Sequence, residues 1–108
     1  MQPQKSKELR DLARKISQLG LVSHGYVQNR GHAPGGPVYQ WTRKENGKTV
    51  SVALSKEQYE AMRIASENWK TAKALLREME ILSRKVIFTT IPGVKRAKPL
   101  SDATLGLT

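Results

Sequence analysis

The chain has 108 residues, with 19 Lys or Arg against nine Asp or Glu, for a net charge of +10. That length suits one small domain. The absence of cysteine excludes disulfides, thiolate metal sites and a cysteine nucleophile. The charge speaks to partners, not to fold. Nucleic acid is the partner class such a balance fits most often, and an anionic membrane or acidic protein fits it less often. No apolar run approaches the ~20 residues of a membrane span. Met1-Gln2-Pro3-Gln4-Lys5 leads into a charged helix with no signal-peptide core. The expectation is a cytoplasmic protein with no membrane partner.

The first predicted element is a helix from about Lys7 to Leu19, with Ser6 as its N-cap. Leu9, Leu12, Ala13, Ile16 and Leu19 recur at helical spacing. Gly20 stands where a left-handed C-cap belongs. Leu21 to Arg30 reads as a strand of weaker pattern. Gly31-His32-Ala33-Pro34-Gly35-Gly36-Pro37 is a connecting loop and lacks the Gly-Lys-Ser/Thr end of a phosphate-binding loop.

A hairpin follows, and it can be read residue by residue. Val38 to Lys44 runs out, Glu45-Asn46-Gly47-Lys48 turns, and Thr49 to Leu54 returns. Asn-Gly is the strongest short hairpin signal, because both central residues need positive φ. A two-residue turn fixes the register. Trp41 then faces Val52, Tyr39 faces Leu54 and Arg43 faces Val50, a face that is apolar apart from Arg43. On the other face Gln40 pairs with Ala53, Thr42 with Ser51 and Lys44 with Thr49, and no acid is present. A lone hairpin is marginal in water, so the expectation is a three-stranded antiparallel sheet.

Ser55-Lys56-Glu57-Gln58 fits a capping box and opens a long helix that runs to about Phe88 and stops before Pro92-Gly93. Its apolar row is Met62, Ala65, Trp69, Ala72, Leu76, Met79 and Val86, widened by Leu75 and Leu82. At roughly 50 Å it outreaches a ~100-residue domain. Part of it must pack on the first helix, pair with another chain, or stop early. Val94 to Thr108 has the composition of a tail. The predicted organisation is a single α+β domain over 1–91 and a flexible basic tail over 92–108. The apolar sheet face (Tyr39, Trp41, Val50, Val52, Leu54) is expected to pack on the long helix near Met62, Ala65 and Trp69.

Arg63, Lys70, Arg77 and Arg84 follow one another at seven-residue steps, which drift only ~20° around a helix and form one stripe. It is either a phosphate-tracking ridge or a solvated face with pairs such as Arg63–Glu67 and Glu80–Arg84. Trp41 and Tyr39 either stack on bases or pack in the core, and their partners Val52 and Leu54 favour the core. Tyr26 is undecided. His24 and His32 are the only histidines and have no acid beside them in sequence, so neither a metal site nor acid–base chemistry is expected. No cofactor and no enzyme activity are expected.

The stretch from about Gly20 to Leu76 resembles a family of small bacterial domains of unknown function. The resemblance rests on Gly20-Leu21-Val22, Gly36-Pro37-Val38-Tyr39, Trp41-Thr42-Arg43-Lys44, Asn46-Gly47-Lys48 and the helix from Ser55. The family's Cys-rich loop looks like a metal site, and its cysteines have no counterparts between Val22 and Gly36. Similar genes look associated with mobile elements, which implies DNA or a transposase as partner. Three antiparallel strands followed by a helix are also similar in architecture to the arm-type DNA-binding domains of tyrosine recombinases, where the sheet enters the major groove.

The function expected is a non-enzymatic nucleic-acid-binding module, with duplex DNA preferred over RNA. Gln40, Thr42 and Ser51 would meet base edges. Arg30, Arg43, Lys44 and Lys48 would hold phosphates, with the stripe of Arg63, Lys70, Arg77 and Arg84 beside them. The alternative is a protein-interaction adaptor that pairs with a second copy or another helix through Leu75, Leu76, Met79, Leu82 and Val86.

Overall fold

The computed structural model describes residues 3–32 and 34–108, and the side chains from Ser6 onward. The fold is α+β: helix α1 (Pro3–Ser17), strands β1 (Tyr26–Asn29), β2 (Tyr39–Glu45) and β3 (Lys48–Leu54), helix α2 (Lys56–Thr90) and a short helix α3 (Asp102–Leu105). The strands form one antiparallel sheet in the order β1-β2-β3. Contacts gather the chain into two compact units. One is the sheet unit, residues 19–72. The other is the helical unit, residues 1–18 with 73–108. The first part of α2 belongs to the sheet unit and the rest to the helical unit.

In the sheet unit the hairpin has the register that its turn dictates. Tyr39 pairs with Leu54, Trp41 with Val52, Thr42 with Ser51 and Lys44 with Thr49. Asn46 (φ 49°) and Gly47 (φ 79°) both take positive φ, the turn whose twist matches that of the strands. The capping box closes as expected. The Gln58 amide donates to Ser55 Oγ at 3.1 Å, and the Ser55 amide donates to Gln58 Oε1 at 3.0 Å.

The first strand is shorter than the sequence suggested, Tyr26–Asn29 rather than Leu21 to Arg30. The reason is competition for its backbone groups. Asn68 on α2 donates to the carbonyls of Leu19 (2.7 Å) and Leu21 (2.8 Å). The Ser23 amide donates to the Ala65 carbonyl (3.1 Å), and Ser66 Oγ donates to the Gly25 carbonyl (3.2 Å). Residues 19–25 are therefore held along α2, and pairing with β2 begins only at Tyr26.

This strap alters the packing expected of the apolar sheet face. Tyr39 stacks on Tyr59 of α2, with ring centroids 4.6 Å apart. Trp41 meets the strap, donating from Nε1 to the His24 carbonyl at 3.0 Å, while the His24 ring lies 6.1 Å from that of Trp69. Leu54 shares a shallow apolar groove with Met62, Ala65 and the strap residues Leu21 and Val22. Only Ala65 and Ala72 are buried among the described apolar residues of this unit, and Val52 is exposed.

In the helical unit α1 begins at Pro3, not Lys7. Proline's fixed φ is preorganised for a first helical position, and Ser6 lies inside the helix rather than capping it. Among the described residues of this unit, Leu12 of α1 and Val86 of α2 are the buried apolar ones. The two helices line a cleft of about 390 Å3, with Leu12, Lys15, Ile81 and Leu82 among its walls. Residues 92–108, expected as a tail, include α3. Ser101 caps it by accepting from the Thr104 amide at 3.2 Å, and Gly106 ends it with φ 71°. Arg84 donates to the Gly106 carbonyl (3.3 Å) and Arg77 to that of Thr108 (3.4 Å).

Candidate nucleic-acid interface

Residues directly opposed in an antiparallel ladder share a face. The ladder therefore sorts every strand side chain. One face carries Tyr39, Trp41 and Arg43 from β2 and is turned to α2 through the Tyr39–Tyr59 stack. The outer face carries Gln40, Thr42 and Lys44 from β2, Thr49, Ser51 and Ala53 from β3, and Tyr26 and Gln28 from β1. No carboxylate stands on it.

On that outer face Thr42 Oγ1 and Ser51 Oγ are 3.1 Å apart, sharing one hydrogen bond. Each keeps capacity for a further partner. Gln40 and Thr42 are half-buried by flanking strands, whereas Lys44, Thr49 and Ser51 are exposed. Tyr26 lies opposite Thr42 and is 65% exposed. The sequence left Tyr26 undecided. Its position follows only from the β1–β2 register, which has no turn signal of its own.

The cations fall into three groups. Lys44, on the outer face, and Lys48, which opposes Glu45 and so has the parity of the Trp41 face, are both exposed at the hairpin end. Arg43 belongs to the opposite face. Its guanidinium lies over the Trp41 ring, 4.4 Å from the centroid, its Nε pairs with Glu45 at 3.0 Å, and its Nη1 is buried with no hydrogen-bond partner. Arg30 staples the connecting loop, donating to the carbonyls of Pro34 (3.2 Å), Gly35 (3.5 Å) and Pro37 (3.5 Å). A Cβ at Gly36 would overlap that guanidinium. Ala33 of the same loop lies outside the described residues.

The arginine–lysine stripe of α2 is divided between the units. In the sheet unit Arg63 pairs with Glu60 at 3.2 Å and Lys70 with Glu67 at 3.3 Å, both exposed. Such pairs contribute at most about 0.5 kcal/mol, so an incoming phosphate competes with them at little cost. Arg63 and Lys70 also border a hollow of about 190 Å3 beside Tyr26 and Val27. In the helical unit Arg77 and Arg84 bind the C-terminal carbonyls named above, and Arg84 lies 3.8 Å from Glu80. Of the candidate adaptor residues, Val86 is buried, Leu75, Met79 and Leu82 are half-buried, and Leu76 is 47% exposed.

Asn68 is the residue that the sequence reading missed. Asparagine is a poor helix-interior residue because its side chain competes for backbone groups, and here it binds two carbonyls of another segment. Removing the amide leaves both carbonyls without that donor. Asn68→Ala is expected to lower stability by about 2 kcal/mol. A urea midpoint unchanged from the parent would show that the clamp contributes nothing.

Among the described residues no three His, Asp or Glu side chains come together to hold a metal ion, and no helix is long and apolar enough to cross a membrane. No family model matches this chain. No curated protein and no solved structure matches it either.

Proposed function

We propose that this chain is a non-enzymatic nucleic-acid-binding module that presents the outer face of its sheet to duplex DNA. One observation carries the reading: the ladder gathers Gln28, Gln40, Thr42, Ser51 and Lys44 on one open, carboxylate-free face. Hydrogen-bonding side chains on a strand ribbon can meet base edges in a major groove. Lys44 at one end of that face, Lys48 beside it at the hairpin turn on the opposite parity, and Arg63 and Lys70 at the β1 edge supply phosphate contacts. Tyr26 adds a ring to the same face, and a ring of that kind serves stacking on an unpaired base. Arg30 and Arg43 are occupied by the loop and by Trp41, and the reading does not need them.

Fluorescence anisotropy with duplex DNA, single-stranded DNA and RNA across a salt series tests the proposal. The expected result is tightest binding to duplex, weakening steeply as salt rises. Single strands bound more tightly than duplex would move the contact to Tyr26 and stacking. No binding to any of the three at physiological salt would sink the proposal.

The adaptor reading keeps one observation in its favour, the exposed Leu76 beside half-buried Leu75 and Met79 on α2. A helix partner there would cover that strip. If a second copy is that partner, light scattering should show the mass doubling with concentration. A constant monomer mass would remove self-association.

A further inference from the structure

We propose that the end of the helical unit, from Lys85 to Leu100, is an adsorption site for an anionic lipid bilayer. The last turns of α2 and the chain just beyond it expose large apolar side chains. Phe88 is 50% exposed, Ile91 60% and Val94 75%, with Ile87 and Leu100 also outside. Phe88, Ile91, Val94, Leu100 and Leu105 surround an open hollow of about 360 Å3. Exposed large hydrophobics in a cluster mark an interaction surface.

From Ile91 to Leu100 every charged residue is a cation, and Asp102 at the start of α3 is the acid that follows. Lys95, Arg96 and Lys98 are exposed, and among the described residues none of them is paired with a carboxylate, whereas Lys85 shares the α1–α2 cleft with Glu8, Asp11 and Glu78. The nearest acids along the chain are Glu80 and Asp102. An apolar tip flanked by Lys95, Arg96 and Lys98 is complementary to a surface that is anionic outside and apolar a few ångströms beneath. A second copy does not fit, because like cations would face one another across the contact. A DNA backbone would use the cations and leave Phe88, Ile91 and Val94 in water. Within the cluster the greatest exposure lies on either side of Pro92-Gly93, at Ile91 and Val94, so these apolar groups are open to an approaching surface.

This departs from the sequence expectation of no membrane partner. That expectation rested on the lack of a spanning segment, and adsorption needs none. It is independent of the sheet face.

Flotation of the full chain with vesicles tests the proposal. One set is phosphatidylcholine alone and the other contains 30 mol% phosphatidylserine. The expected result is co-flotation with the anionic set and little with the neutral set. Replacing Lys95, Arg96 and Lys98 together by Gln should weaken binding on the order of 100-fold. Ile91→Ser with Val94→Ser keeps every charge and should still weaken it at least about tenfold. Circular dichroism of both variants should match the parent. No flotation with anionic vesicles would overturn the proposal. So would full retention by the Ile91/Val94 variant, which would reduce the contact to charge alone. Weakened DNA binding by the charge variant without vesicle binding would assign the patch to nucleic acid instead.

Discussion

Gly25→Ala is expected to cost the sheet unit about 3 kcal/mol, the largest effect of any small substitution in it. Gly25 has φ +121°, a conformation that L side chains rarely adopt. A Cβ there would overlap the indole nitrogen of Trp41 and lie 3.0 Å from the Thr42 carbonyl. The indole cannot retreat freely, because Nε1 is bonded to the His24 carbonyl and Arg43 covers the ring. Strain and overlap therefore add at one position. Gly20→Ala is the control. Gly20 also has positive φ (+80°), but nothing lies within 4 Å of its missing Cβ, so only the backbone cost of about 1–2 kcal/mol applies. Thermal melts should separate the two, with Gly25→Ala lowering Tm by more than roughly 10 °C. The double variant with Trp41→Ala should lose less than the sum of its parts, since it removes the overlap. Equal melting temperatures for Gly20→Ala and Gly25→Ala would show that the strap does not bear on Trp41.

Neutralising Lys44 and Lys48 to Gln is the second substitution with a large expected effect, on binding rather than folding. Each phosphate contact contributes about 0.9 to the slope of log affinity against log salt. Losing two should flatten that slope by about 1.8 on duplex DNA. Both side chains are exposed at the hairpin end, Lys48 opposite Glu45 at the open end of the Trp41 face, so stability should change little. Lys7→Gln on α1, also exposed, should leave the slope as it was. A slope unaltered by the Lys44/Lys48 pair would move the contact surface away from the hairpin.

The parts of the fold that were legible in the sequence share one property: their signals are local. Asn46-Gly47 sets a two-residue turn, and alternation then places each side chain from Tyr39 to Leu54. Ser55 and Gln58 cap each other across three residues. The parts that were not legible depend on distant partners. Leu21 to Gly25 lie in a stretch with strand-like residues, yet Asn68, Ala65 and Ser66 take up the backbone there, more than 40 positions along the chain. Helix α3 is a single turn, too short to show a period, and only the Ser101 and Gly106 caps could have marked it. For the site, strand parity placed Gln40, Thr42, Lys44 and Ser51 together from sequence alone. It also put Arg43 on the Trp41 face, where stacking holds it. The stripe of Arg63, Lys70, Arg77 and Arg84 was visible as spacing. Glu80 was legible as a partner of Arg84, but the carbonyls that Arg77 and Arg84 bind were not, because they belong to a segment with no periodic signal.

The sheet ends at β3, which has β2 on one side and no strand on the other. From Lys48 to Leu54 it offers main-chain donors and acceptors to any extended segment that comes alongside. At low ionic strength a surplus of ten positive charges holds two copies apart before their rims can meet. Added salt shortens the reach of that repulsion to about 10 Å at 0.1 M and leaves hydrogen bonding intact. Colloidal stability in this molecule therefore depends on the same ionic atmosphere that would govern the proposed hold on an anionic partner. If the proposed polyanion binds, the salt that releases it also leaves copies that repel one another only at short range.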